Sequence, residues 1–133
     1  MRILLVEDEV LIALEQQLYL EAVGHSVTGP AITAAEAVEM AAADRPDLAL
    51  VDMHLGMGSS GIDAARGLSE LGVPCLFITA FRDELKKGGP VAGIGCLPKP
   101  FTESGLIAAV EVARAVLAGE TPCNVPQTME LFM

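Results

Sequence analysis

The sequence predicts an α/β fold: a doubly wound parallel sheet of five strands, with a short or irregular fourth helix. Three observations predict it. The runs Ile3-Leu4-Leu5-Val6, Leu48-Ala49-Leu50-Val51 and Cys75-Leu76-Phe77-Ile78 are continuously apolar, with little alternation, which is the pattern of strands buried on both faces. Each run ends in an oxygen-bearing side chain: Glu7 with Asp8, then Asp52, then Thr79. Segments of helix length separate the runs, so strand and helix alternate five times. Right-handed crossovers then place helices on both faces of one sheet.

Each element has its own signal. Ile3–Val6 reads as the first strand. Val10, Leu11, Leu14, Leu18 and Ala22 follow at the spacing of one helical face, and Gly24 ends that helix. Ser26–Gly29 is a shorter second strand. Thr33-Ala-Ala-Glu36 has the form of a capping box, opening an Ala-rich helix over 34–43. Pro46 blocks further helix before the strand Leu48–Val51. A Gly/Ser-rich loop over 53–60 leads to a helix over 61–71, closed by Gly72. Cys75–Ile78 is the fourth strand. Residues 82–94 carry at most a turn or two of helix, because Gly88-Gly89-Pro90 must end it. Cys96-Leu97 is a short fifth strand. Thr102 caps a long last helix with Leu106, Ile107, Val110, Ala113 and Leu117 on one side. Residues 119–133 contain Pro122 and Pro126, show no period, and read as a tail that packs Leu131 and Phe132 on a surface.

At 133 residues, one domain with a sizeable core is the simplest organisation. A hydrophobic share of 52% argues against disorder. The formal net charge of −10 and the lack of Trp argue against direct nucleic-acid binding, which needs cations and stacking surfaces. Four apolar residues before Glu7 do not make a signal peptide, and no run approaches 18 apolar residues, so no membrane span is expected. Cys75, Cys96 and Cys123 are odd in number and lack metal-site spacing. They read as reduced thiols of a cytoplasmic protein.

In doubly wound sheets, ligands collect outside the carboxyl ends of the strands. Glu7, Asp8, Asp52 and Thr79 all belong there, and Pro98-Lys99-Pro100 adds a cation after the fifth strand. Three converging carboxylates repel unless neutralised. One divalent cation together with Lys99 balances them, and oxygen-only ligands suit Mg²⁺ or Mn²⁺. A carboxylate beside such a metal can act as a nucleophile toward a phosphoryl group. The metal, Lys99 and the Thr79 hydroxyl are then available for the equatorial oxygens. Singly, each residue is as readily a helix cap or a turn residue; their order along successive strand ends carries the inference.

The pieces ILLVEDE (3–9), LALVDMHL (48–55), FITA (77–80) and LPKPF (97–101) resemble the receiver domains of two-component response regulators, the CheY-like, flavodoxin-like fold, over residues 1–118. The resemblance implies the strand order 2-1-3-4-5. It implies Asp52 as phosphoacceptor, Glu7 and Asp8 as the acidic metal pair, and the backbone carbonyl of His54 as a further Mg²⁺ ligand. Thr79 becomes the switch hydroxyl and Lys99 the partner of the phosphoryl oxygens. It also implies a histidine kinase or phosphotransfer protein as donor, an unnamed output protein, and a cis bond before Pro100. Self-catalysed phosphorylation and dephosphorylation follow, in a switch rather than a metabolic enzyme.

The pattern is not followed everywhere. Many receivers carry an aromatic three residues before the lysine, where this chain has Cys96, so switch coupling through that position is altered. His54 and Phe81, two residues beyond Asp52 and Thr79, are placed to tune water access. The run GSSGIDAAR (58–66), with FITAF and the short fourth helix, resembles receivers of general stress response systems. With 1–118 as the receiver and 119–133 as tail, the chain reads as a stand-alone regulator or as a piece of a longer one. The alternative is a receiver-like interaction module that is never phosphorylated. An aspartyl phosphohydrolase would need an acid where His54 stands, and a flavin site would need a Gly- and hydroxyl-rich loop where EDEVLI stands.

Overall fold

The computed structural model describes residues 1–80 and 93–132. The elements run β1 (Arg2–Val6), α1 (Val10–Ala22), β2 (Ser26–Ala31), α2 (Ala34–Ala43), β3 (Leu48–Val51), a single 3₁₀ turn (Gly56–Gly58), α3 (Gly61–Glu70), β4 (Cys75–Thr79), β5 (Gly95–Pro98), α4 (Glu103–Leu117) and β6 (Glu130–Leu131). The short helix predicted within 82–94, and Phe81, fall in a segment outside the described residues except for Gly93 and Ile94.

The sheet order is β2-β1-β3-β4-β5-β6. The first five strands are parallel in the predicted order 2-1-3-4-5. The sixth is an addition: the tail returns as β6 and pairs antiparallel with β5, Gly95 opposite Leu131 and Cys96 opposite Glu130. The five-stranded parallel sheet is as predicted, and the two-residue antiparallel β6 extends it. A two-residue strand in a Pro-containing segment has no period to betray it.

Alternation along the strands divides the core into two layers. Leu4, Val6, Val51 and Phe77 face α2 and α3, which approach closely through Ala37, Ala41, Ala64 and Ala65. Ile3, Leu5, Leu50 and Ile78 face α1 and α4 through Ala13, Leu20, Leu106 and Val110. Each fully buried Leu or Ile contributes about 2 kcal/mol of transfer free energy, so this sandwich is what holds the strand ends in register. Caps fix the helix starts. Thr33 Oγ1 accepts from Glu36 N at 3.1 Å, Ser60 Oγ from Ile62 N at 3.1 Å, and Thr102 Oγ1 from Gly105 N at 2.9 Å.

One helix is turned the other way from the sequence reading. The face of α1 that is buried carries Ala13, Gln16 and Leu20. The stripe read as its apolar face points outward: Val10 is 70% exposed and Leu11 75%, with Leu14 and Leu18 also exposed. Apolar residues lie on both sides of this helix, and spacing alone does not say which side meets the sheet.

Candidate functional site

The site stands on three strand ends. β1 runs out at Val6, and the next residue, Glu7, is held by its N–H donating to the Ala31 carbonyl at 2.9 Å. Asp52 follows β3 directly, and its N–H donates to the Val6 carbonyl at 2.9 Å. Lys99 follows β5, with its N–H donating to the Thr79 carbonyl at 3.0 Å. The row of strand ends from β1 to β5 thus brings together Glu7 and Lys99, 92 positions apart in sequence.

Glu7 and Asp52 are buried, while Asp8 is exposed at the mouth. One carboxylate oxygen from each of the three lies within 4.8 Å of the others. Lys99 Nζ donates to Glu7 Oε2 at 2.9 Å and lies 3.4 Å from Asp52 Oδ2. Asp52 Oδ1 accepts from the Met53 N–H at 2.8 Å, and Glu7 Oε1 from the Glu9 N–H at 3.1 Å. That leaves Asp52 Oδ2 on the lysine side, toward the other acids. Burial pushes the Glu7 carboxyl up to about 7, reinforced by the Asp52 charge and opposed by the hydrogen bond from Lys99. For Lys99, burial pulls downward, but the hydrogen bond to Glu7 and the charges of Glu7, Asp52 and Glu9 outweigh it, so its ammonium is held above the ordinary lysine value.

Among the described residues, three carboxylates against one ammonium leave excess negative charge in a partly desolvated place. Burial is the main cause of the raised Glu7 carboxyl, and the neighbouring Asp52 charge adds to it. A hard divalent cation fits the site: the donors are all oxygen, they are close together, and Asp8 opens to solvent as an entry path. Glu7, Asp8 and Asp52 are the residues that could hold Mg²⁺ or Mn²⁺.

Thr79 ends β4 fully buried, level with Pro98 of β5. The His54 side chain is exposed, and its backbone bridges to Ser60. Cys96 is buried against the α2–α3 layer, three residues from Lys99. The peptide bond between Lys99 and Pro100 is cis. Phe81 lies outside the described residues.

The sequence reading missed Gly61. A Cβ there would collide with the backbone carbonyl of Asp52, and the Gly61 N–H donates to the Met53 carbonyl at 2.7 Å. The start of α3 is thus pressed onto the backbone of the central acid, and only a residue without a side chain permits it. The Gly/Ser run after β3 was the available signal.

The family model for the response regulator receiver domain matches residues 3–111. Among curated proteins, the chain is similar to the phyllosphere-induced regulator PhyR of Methylorubrum extorquens, at 39% identity over 113 residues, covering 84% of this chain and 42% of that protein. It is also similar to the transcriptional regulatory protein PdtaR of Mycobacterium tuberculosis, at 36% identity over 115 residues, covering 84% and 56%. The chain spans about half the length of these curated relatives. Among solved structures, it resembles the receiver domain of Erythrobacter litoralis PhyR, with a TM-score of 0.77 and 34% identity over 87% of this chain and 89% of that one.

Proposed function

The chain belongs to the response regulator receiver domain family of two-component signalling, and from that premise we propose that Asp52 accepts a phosphoryl group in a reaction that depends on a divalent cation. The observation that carries the reading is the contact of Lys99 Nζ with both Glu7 and Asp52, at 2.9 and 3.4 Å, inside a set of three carboxylates.

The chemistry follows from the groups present. Asp52 Oδ2 attacks phosphorus on the donor's phosphohistidine. A P–O bond forms, the P–N bond breaks, and the electron pair returns to the donor imidazole. Glu7, Asp8, Asp52 and the His54 carbonyl would hold Mg²⁺, which would supply positive charge to the phosphoryl oxygens. Lys99 moves its hydrogen bond from Glu7 to a phosphoryl oxygen, and the Thr79 hydroxyl donates to another. This neutralisation is the main catalytic contribution in phosphoryl transfer. Water later cleaves the acyl phosphate, releasing phosphate and restoring the Asp52 carboxylate. The chain acts as a switch, and Cys96 and Phe81 tune it.

A histidine kinase or phosphotransfer protein serves as donor. The outward stripe of Val10, Leu11, Leu14 and Leu18 supports a protein donor, because exposed apolar patches of this kind mark contact surfaces. A cleft of about 300 Å³ beside it, lined by Ile12, Ala80, Lys99, Pro100 and Phe101, leads to the lysine. Output passes through contact with another protein, and the setting is cytoplasmic. No described helix is long and apolar enough to cross a membrane.

The test is incubation with Mg²⁺ and acetyl phosphate followed by intact mass. Addition of HPO₃, about 80 Da, is expected for the wild-type chain and absent from Asp52→Ala. No gain with either chain contradicts the reading and favours an unphosphorylated interaction module, and an equal gain with both contradicts it by placing the phosphoryl group elsewhere.

A further inference from the structure

β5 is four residues long, and Lys99 follows it directly. One side of β5 is held by β4. The other side would be an open sheet edge, and it is closed by the segment Met129–Phe132. β6 pairs with Gly95 and Cys96, and the Phe132 N–H donates to the Ile94 carbonyl at 2.8 Å. Side chains grip both layers of the core. Met129 is buried on the α1–α4 side with Leu131 packed beside it. Phe132 packs on the α2–α3 side, its ring centroid 6.4 Å from that of Phe77. β5 is shaped to receive this segment: a Cβ on Gly95 would collide with the Glu130 carbonyl oxygen.

A lysine ammonium rides on a flexible stem of four carbons, so its placement depends on a fixed backbone. The backbone of Lys99 is fixed by β5, and β5 is fixed between β4 and this segment. We propose that Met129–Phe132 is a positioning segment for Lys99, a clamp on the edge of β5 that keeps the ammonium on Glu7 and Asp52. The proposal rests on the reading of Asp52 as phosphoacceptor.

The clamp has two consequences of opposite sign. Lys99 is needed at the phosphoryl oxygens, so loosening it slows phosphorylation. Lys99 also neutralises the same carboxylates that would hold Mg²⁺, so loosening it restores negative charge there and tightens Mg²⁺. General damage to the fold does not separate the two in this way, since it weakens both.

Phe132→Ala removes the plug from a half-buried position, and Gly95→Val drives the segment off β5. In the full-length chain, both variants are expected to take up phosphoryl from acetyl phosphate about tenfold more slowly, because small misplacements of a reacting group carry such losses. Mg²⁺ alone, titrated by calorimetry, is expected to bind up to about fivefold more tightly, within the usual range of coupling between sites. Phe132→Leu, which keeps an apolar plug, restores both values. In a Lys99→Met background, Phe132→Ala changes neither. Parallel losses of rate and Mg²⁺ affinity, unchanged values in both variants, or a further loss in the Lys99→Met background would each overturn the proposal. If the wild-type chain takes up no phosphoryl group, the premise falls and the proposal with it. Normal uptake by wild type and variants alike removes the proposal alone.

Discussion

At the carboxyl ends of the strands, Glu7 is 1% exposed and Asp52 5%, and among the described residues a single lysine, Lys99, serves both. At the opposite ends, Arg2 pairs with Asp44 at 2.8 Å with both side chains mostly exposed. The Arg2 N–H donates to Asp47 at 2.8 Å, and Arg114 pairs with Glu111 and Glu120 at 2.7 and 3.2 Å. The second set is solvated, although Arg2 and Arg114 face four acids, Asp44, Asp47, Glu111 and Glu120. The first holds a similar excess of acids among the described residues, but its Glu7 and Asp52 are desolvated. Water screens the pairs at the base, so they add little to stability. At the rim the protein keeps carboxylates together in a desolvated place, at a cost to stability that a bound cation would relieve.

Substitutions can break or sharpen that contrast. Lys99→Met should have the largest effect, lowering the rate of phosphorylation by acetyl phosphate about a hundredfold, as for loss of one preorganised donor to a transition state. A rate within a factor of two of wild type would place Lys99 among mere structural ion pairs. Leu14→Glu should slow transfer from a phosphohistidine protein about tenfold, as for a buried contact residue, and leave acetyl phosphate kinetics unchanged. A wild-type rate with the phosphohistidine protein would detach the outward face of α1 from the function.

The third effect is on stability and has a defined sign. Burial raises the Glu7 carboxyl from 4.5 to about 7, so the folded chain binds a proton there more tightly than the unfolded chain. The stabilisation is fully present below pH 4.5 and is lost as pH rises through about 7. In chelator, the folding free energy should therefore fall by roughly 1–3 kcal/mol between pH 4.5 and 8 on account of this group. Glu7→Gln should flatten the curve, and so should saturating Mg²⁺. Denaturant melts across that range give the answer, and a slope unaffected by either would contradict a Glu7 carboxyl raised by burial. The smallest effect belongs to the base: Arg2→Ala should cost about 0.5 kcal/mol and leave phosphorylation alone.

Much of this was legible in the sequence, and the exceptions have physical reasons. The strands could be read because burial on both faces demands unbroken apolar runs. The site could be read because Glu7, Asp52, Thr79 and Lys99 each directly end or follow such a run, so chain order already implied neighbourhood. The outward turn of α1 could not be read: Ala13, Gln16 and Leu20 make an unremarkable inner face, and the larger side chains mark the outer one. The glycine against Asp52 was hidden because a missing side chain signals only through what occupies its space. β6 was hidden because its partner, β5, is far away in sequence and its own two residues show no alternation.

The most direct measurement locates the phosphoryl group itself. The chain is treated with acetyl phosphate and Mg²⁺, the acyl phosphate is reduced with borohydride, and peptides are sequenced by mass spectrometry. The account predicts reduction of the side chain at position 52 alone, and none when Mg²⁺ is chelated. Modification at Asp8 or elsewhere in place of Asp52, or modification that persists in chelator, would contradict it.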